Sequence, residues 1–397
     1  MSESSYPMFL KMDNVIQNYA WGSKTSIQRL FGIKNTEALP QAEIWMGAHP
    51  NGCSEVTIEG VRTPLSDFIA ANPEMILGDE THSEFGELPY LFKVLAAEKA
   101  LSIQVHPSKE QAEKGFAKEE GLNVPLSAGH RNYKDANHKP ELVFALTSYT
   151  AMNGFREFEE IATIFALLNI PVLEPLVRVF SDSPNSDGLR DFFAALLSLE
   201  GSDKEDAING LISYASAHCD DELYALVLDL AEQYPDDIGI FSPLMLNVIT
   251  LLPGEAMFLD ACTPHAYIKG TGLEIMANSD NVLRAGLTPK HIDIDELVGS
   301  TRFEAQSFND IILAPRAGNG TKRYDIPVTD FGFSVHQQDH VLDVNSAEIL
   351  FAIDEQLTLT HDCGQTIILE KGESAFIPAY TKSYKATTSG KFARACN

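Results

Sequence analysis

Apolar residues recur along this chain with two different periods, and the change from one to the other divides it. Residues 101–106 (Leu-Ser-Ile-Gln-Val-His) alternate, with Leu101, Ile103 and Val105 on one side and Ser102, Gln104 and His106 on the other. A period of two predicts a strand with one apolar and one polar face. Residues 89–96 read as a nearly all-apolar strand interrupted by Lys93, a lysine that either snorkels outward or points into a polar cavity. Residues 142–146 form a further apolar strand. The stretch 108–135 is polar and predicts a helix and a long loop, the usual place for an active-site lid. From 157 to about 234 the period lengthens. Ile161, Ile164, Phe165 and Leu168 recur at helical spacing, as do Phe192, Phe193, Leu196 and Leu197, then Leu223, Leu226, Val227 and Leu230. This is a helical insertion whose apolar stripes are core. Strands return at 249, and from about 331 short alternating runs with turns predict an all-β unit. Residues 252–259 (Leu-Pro-Gly-Glu-Ala-Met-Phe-Leu) are echoed by 369–377 (Leu-Glu-Lys-Gly-Glu-Ser-Ala-Phe-Ile). Aligning Gly254 with Gly372 sets His265 opposite Ser383, an internal repeat in which one copy has lost its imidazole.

Composition narrows the functional classes. A chain of 397 residues predicts roughly two to three domains. Its net charge of −27 argues against nucleic acid and anionic membranes as partners, so an anionic substrate needs a local basic cluster. No apolar run is long enough to span a bilayer, and the first residues lack the basic-then-apolar order of a signal peptide. The five cysteines are scattered and free of CxxC spacing, which predicts free thiols in a reducing compartment, the cytoplasm, and no cysteine-based metal site.

The polar faces of the strands carry the chemistry. In residues 138–142, Lys139 and Glu141 share a face; in 264–268, His265 and Tyr267 do. Taken singly, each histidine is more often a core residue than a ligand. Together, Gln104, His106, Glu141 and His265 offer mixed nitrogen and oxygen ligands that suit Zn²⁺, and equally Mn²⁺ or Co²⁺. Residues 274–290 read as a loop dense in polar groups, including Glu274, Asp280, Arg284 and Lys290. Such a loop is either a solvated turn or a site, and here Arg284 as a fork and Lys290 as a point charge suit a phosphate. Trp21 and Trp45 each stand near a glycine, as core aromatics or as walls of a pocket.

Residues 104–107 (Gln-Val-His-Pro), 133–141 (Tyr-Lys-Asp-Ala-Asn-His-Lys-Pro-Glu), and His265-Ala-Tyr running on to 284–290 (Arg-Ala-Gly-Leu-Thr-Pro-Lys) resemble the type I mannose-6-phosphate isomerase family. The resemblance covers essentially the whole chain. It implies a fold of the cupin superfamily, mainly β with a helical insertion. Two cupin-like β-sandwich or jelly-roll units would be joined by an α-helical domain. The expected division is a discontinuous catalytic unit of 1–155 and 241–312, an insertion of 156–240, and a C-terminal unit of 313–397 without metal. The resemblance also implies one zinc ion per chain on Gln104, His106, Glu141 and His265. It makes Arg284 catalytic and assigns substrate or phosphate contacts to Lys93, Ser102, Lys290 and Trp21.

The family reaction interconverts mannose 6-phosphate and fructose 6-phosphate through an enediol or enediolate. It needs a base on one face of the substrate and a cation facing the developing oxyanion. Glu274, Lys139 and His138 all stay open as the base, and Asp280 and Tyr267 would orient neighbours or open the sugar ring. Two other classes compete. A metal-dependent cupin dioxygenase would call for a histidine-richer iron site and has no use for Arg284 and Lys290. A non-catalytic sugar-binding cupin would need no base. The expected partner is a small sugar phosphate, with no nucleic acid and no membrane, and the expected state is a monomer.

Overall fold

The computed structural model describes residues 6–397. The fold is mainly β, with ten-stranded, nine-stranded and four-stranded sheets, a block of helices inserted between strands, and a C-terminal unit of strands.

The spine of the first unit is the 13-residue strand His265–Ala277. It pairs antiparallel with Tyr90–Ala97, Glu141–Ala145 and Tyr149–Phe155, and its first residue pairs with Gln104. All eight residues of Tyr90–Ala97 are buried, Lys93 among them. The registers Trp45↔Lys93 and Lys93↔Glu274 set these three side chains in one row across three strands. Directly opposed residues on one sheet face lie close enough to interact, so register alone brings a lysine against a glutamate inside the sheet.

Two sequence expectations change here. The alternation is real in burial over 101–105 and ends at His106, which is buried like Val105, and only Gln104–Val105 is a laddered strand. Leu101 and Ile103 instead give single bonds, Leu101 N–H to Tyr267 O at 2.8 Å and Ile103 N–H to Gly286 O at 3.0 Å. The polar run beginning at Glu274 does not open a loop. The spine strand continues through it to Ala277, because Lys93 balances the Glu274 charge within the sheet.

The insertion consists of the helices Phe158–Leu168, Glu174–Asp182, Ser186–Leu197, Gly201–Ala217 and Glu222–Gln233. Their apolar stripes pack as expected: Ile161, Phe165, Leu168, Phe192, Phe193, Leu196, Val227 and Leu230 are buried in one cluster. Asn185 and Asp221 cap two of the helices by accepting backbone N–H bonds from Gly188 and Leu223.

The internal repeat is present in the ladder. Gly254 and Gly372 both take positive φ, 94° and 83°, in the turns before the strands Ala256–Leu259 and Ser374–Ile377. Glu141 pairs with Leu259 and Glu348 with Ile377, so Glu348 occupies the position of Glu141 in the second copy. In that copy the carboxylate is met by Arg394 and by the Tyr384 hydroxyl at 3.0 Å. The strand Leu10–Asp13 pairs with Ser374–Ile377 and with Glu55–Ile58, so the ladder of the C-terminal unit takes in N-terminal strands.

Candidate active site

His106, Glu141 and His265 converge with ligand atoms within 4.8 Å of one another, all three buried. Their orientation follows from backbone contacts. His106 Nδ1 lies 2.6 Å from Asn281 O and His265 Nδ1 lies 2.9 Å from Thr263 O. A carbonyl oxygen only accepts, so each Nδ1 carries the proton and each Nε2 presents a lone pair. Those lone pairs face a carboxylate: His106 Nε2 is 3.2 Å from Glu141 Oε1 and His265 Nε2 is 3.6 Å from Oε2. His106 Nε2 has no hydrogen-bond partner at all, although buried. Acceptors facing acceptors in a buried pocket require a cation between them. A proton does not supply it near neutral pH, because burial, with help from Lys139, pushes His106 down to about 4. The donor set therefore fits a divalent metal of the zinc type.

Glu141 is kept charged. Burial opposes its ionisation, but Lys139, with Nζ at 3.2 Å, holds it well below the usual carboxylate range. The Tyr267 hydroxyl donates to Oε2 at 2.5 Å and fixes the carboxylate in place. Gln104 lies between His265 and Arg284 in the ladder. Its amide donates to Ser102 Oγ at 3.4 Å, leaving the carbonyl oxygen as the ligand-type atom.

Beside this cluster opens a cavity of about 470 Å³. Of the residues singled out in the sequence, Trp21, Lys93, Ser102, Gln104, Lys139, Asp280, Arg284 and Lys290 line it. Arg284 has its proton affinity lowered by burial, and Lys290 first by the charge of Arg284, then by burial and Lys134. Unneutralised like charges gathered at one wall of an acidic protein form the local basic cluster that an anionic substrate requires. Glu274 and Tyr267 are fully buried in the sheet behind the cavity. His138 is turned away: its Nε2 is 3.0 Å from both Asp330 oxygens.

The sequence passed over Glu43, which takes the Trp45 indole N–H at 2.6 Å and stands 3.7 Å from Lys93. Its alternation with Trp45 in the strand Glu43–Met46 was the available signal. Also passed over was Asn281. Its side chain accepts from Lys134 N–H and donates to Asp135 O and Asn137 O, tying the 133–141 segment to the carbonyl that holds His106. Nothing in its local sequence marks it.

Fold and site together define a metal-holding cupin with a basic cavity of small-molecule size. Comparison with known proteins narrows that class. Residues 9–158 match the phosphomannose isomerase type I catalytic domain, 173–246 its helical insertion domain, and 321–397 the mannose-6-phosphate isomerase cupin domain. The chain is 47% identical to the mannose-6-phosphate isomerase of Salmonella typhimurium and 46% identical to that of Escherichia coli. Each alignment covers 98% of this chain and 99% of the relative. A zinc-bound holo structure of a mannose 6-phosphate isomerase superposes with a TM-score of 0.93 at 46% identity, over 98% of this chain and 99% of that one. The chain belongs to the type I phosphomannose isomerase family.

Proposed function

We propose that the cavity beside His106, Glu141 and His265 is the active site of an aldose–ketose isomerase that interconverts mannose 6-phosphate and fructose 6-phosphate. The cofactor is one zinc ion, held by Gln104, His106, Glu141 and His265. The observation that carries the metal assignment is the pair of buried imidazole lone pairs turned on an ionised carboxylate. When bound, zinc polarises and orients substrate oxygens.

The remaining roles belong to side chains of this chain. Lys290 and Ser102 bind the phosphate, with Lys93 contributing from the cavity wall and Trp21 flanking the sugar. Arg284 donates to the oxygen on which charge develops as the enediolate forms, an interaction stronger in the transition state than in the ground state. Of the three candidates for the base, Lys139 is the one that lines the cavity, and in its neutral amine form it carries the proton between C2 and C1. Asp280 holds its carboxylate toward the sugar. The His49 ring stands 3.4 Å from one oxygen, and the Asn51 amide donates to the other at 2.9 Å. Burial raises its proton affinity, but His49 lowers it further, so Asp280 is an anion suited to opening the ring. Tyr267 and Glu274 act through Glu141 and Lys93.

The family matches over 9–158, 173–246 and 321–397 support the division into 1–155 with 241–312, 156–240 and 313–397. The working state is proposed to be a monomer. The cytoplasm is in keeping with five free cysteines, and no helix among the described residues is long and apolar enough to cross a membrane.

The proton-transfer step is tested by isomerisation in D₂O. Solvent deuterium should enter the sugar at C1 or C2 over repeated turnovers, and Lys139→Met with its zinc retained should abolish that exchange. Turnover without any deuterium uptake would mean a hydride shift and remove the base from the mechanism.

A further inference from the structure

The helical insertion grips the wall of the active site with a carboxylate. Just past the helix Glu222–Gln233, Asp237 accepts three backbone N–H bonds: Gly239 at 2.7 Å and Leu287 at 2.8 Å on Oδ1, and Thr288 at 2.9 Å on Oδ2. Two of these donors are successive residues of the segment between Arg284 and Lys290. That segment is held in a shape it does not favour. Leu287 sits at φ +54° and Gly286 at φ +132°, both in the region where glycine is at ease and other residues are not. Gly239 and Gly286 meet backbone to backbone. A Cβ added to Gly286 would stand 2.6 Å from Gly239 Cα, and one added to Gly239 would stand 2.6 Å from Leu287 N. The grip has one direction along the chain. Arg284 is fixed independently, by its pairing with Gln104 and by the Ala285 N–H bond to Ile103 O at 2.9 Å. Lys290 depends on the clamped side, its own N–H donating to Thr288 Oγ1 at 3.1 Å.

We propose that Asp237 is a positioning residue which, with the Gly239–Gly286 contact, sets Lys290 for the substrate's phosphate. The helical insertion thereby fixes affinity for the anionic end of the substrate while touching no substrate atom itself. This rests on the assignment of Lys290 to the phosphate.

Asp237→Asn is close to isosteric, but it turns an amide N–H₂ toward a backbone donor and removes the charge. The KM for mannose 6-phosphate and the inhibition constant of inorganic phosphate should rise together, by roughly tenfold to a hundredfold for lost bonds to a charged acceptor. The kcat should stay within about threefold, because Arg284 and the proton carrier are held elsewhere. Zinc content and the first thermal transition should match wild type. Gly239→Ala, whose new methyl pushes on Leu287 N, should give the same split. An unchanged KM, a fall in kcat at unchanged KM, or unfolding of both variants would overturn the proposal, the last because Asp237 would then hold the fold and not the loop. Lys290→Ala separates the two layers. If it raises KM while Asp237→Asn does not, the clamp alone fails; if Lys290→Ala leaves KM unchanged, the phosphate assignment fails with it.

Discussion

Lys93→Met removes the cation from between two buried carboxylates. In the native sheet Lys93 Nζ lies 3.0 Å from Glu274 Oε2, 3.7 Å from Glu43 Oε1, and 5.2 Å from the centre of the Trp45 ring. The three charged residues are 5%, 2% and 6% exposed in the order Lys93, Glu274, Glu43, so water screens none of them. Removing one partner of such a pair costs about 3–5 kcal/mol, most of it the burial of an uncompensated charge. Glu43 keeps the Trp45 indole donor, so the loss falls on Glu274. The expected signature is a double-mutant cycle. Lys93→Met alone lowers the first unfolding transition sharply, and adding Glu274→Gln recovers most of the loss, a coupling of at least about 2 kcal/mol.

The pH dependence has a definite sign. Burial raises the proton affinity of Glu274, and Lys93 opposes it. A carboxyl that binds its proton more tightly folded than unfolded contributes stability that is fully present below the ordinary carboxylate range. That contribution is lost as pH rises through the folded value. Without Lys93 the window widens upward, so the variant should be least destabilised near about pH 5 and most near about pH 8. Calorimetry of wild type, both single variants and the double variant at these two pH values measures the effect. Equal destabilisation at both, with no rescue by Glu274→Gln, would refute the idea that Lys93 is held for its charge between the carboxylates.

Other outcomes follow from the same geometry. His265→Ala should keep its fold and lose zinc below one ion per chain; full zinc in that variant would remove His265 from the ligand set. Arg284→Ala should lower kcat by about 10²–10³ with a small change in KM, and Arg284→Lys should restore charge without the fork. Near-normal kcat with raised KM would make Arg284 a binding residue. In the C-terminal unit, Arg394→Met strands the buried Glu348 and should destabilise by about 3–5 kcal/mol while zinc stays at one ion per chain. A structure with an ion on His336, His340 or His361 would contradict the reading of that unit as metal-free.

The sequence was most legible where local period carries the information. The alternation of Ser102 and Gln104 with their apolar neighbours survives in burial, and the helical stripes of the insertion became its core. The Gly254 and Gly372 turns were readable because each stands near the start of a short echoed run. What stayed hidden depends on partners distant in the chain. The row Trp45, Lys93, Glu274 exists only through register between three strands. His138 reads as a base until Asp330, 192 residues away, is found against it. Glu348 and Glu141 occupy equivalent positions, but the helical insertion separates Glu141 from the turn that would have aligned them. Asp237 shows no local sign of its bonds to Leu287 and Thr288, fifty residues on.

The central claim is a zinc-dependent isomerisation carried out in one cavity. It is tested most directly by following fructose 6-phosphate formation from mannose 6-phosphate with metal analysis of the same sample, before chelation, after chelation, and after zinc is returned. Turnover with one zinc per chain, loss of turnover as the metal leaves, and recovery at one equivalent are the expected results. Undiminished turnover in protein shown to hold no metal, or no turnover in protein holding one zinc per chain, would contradict it.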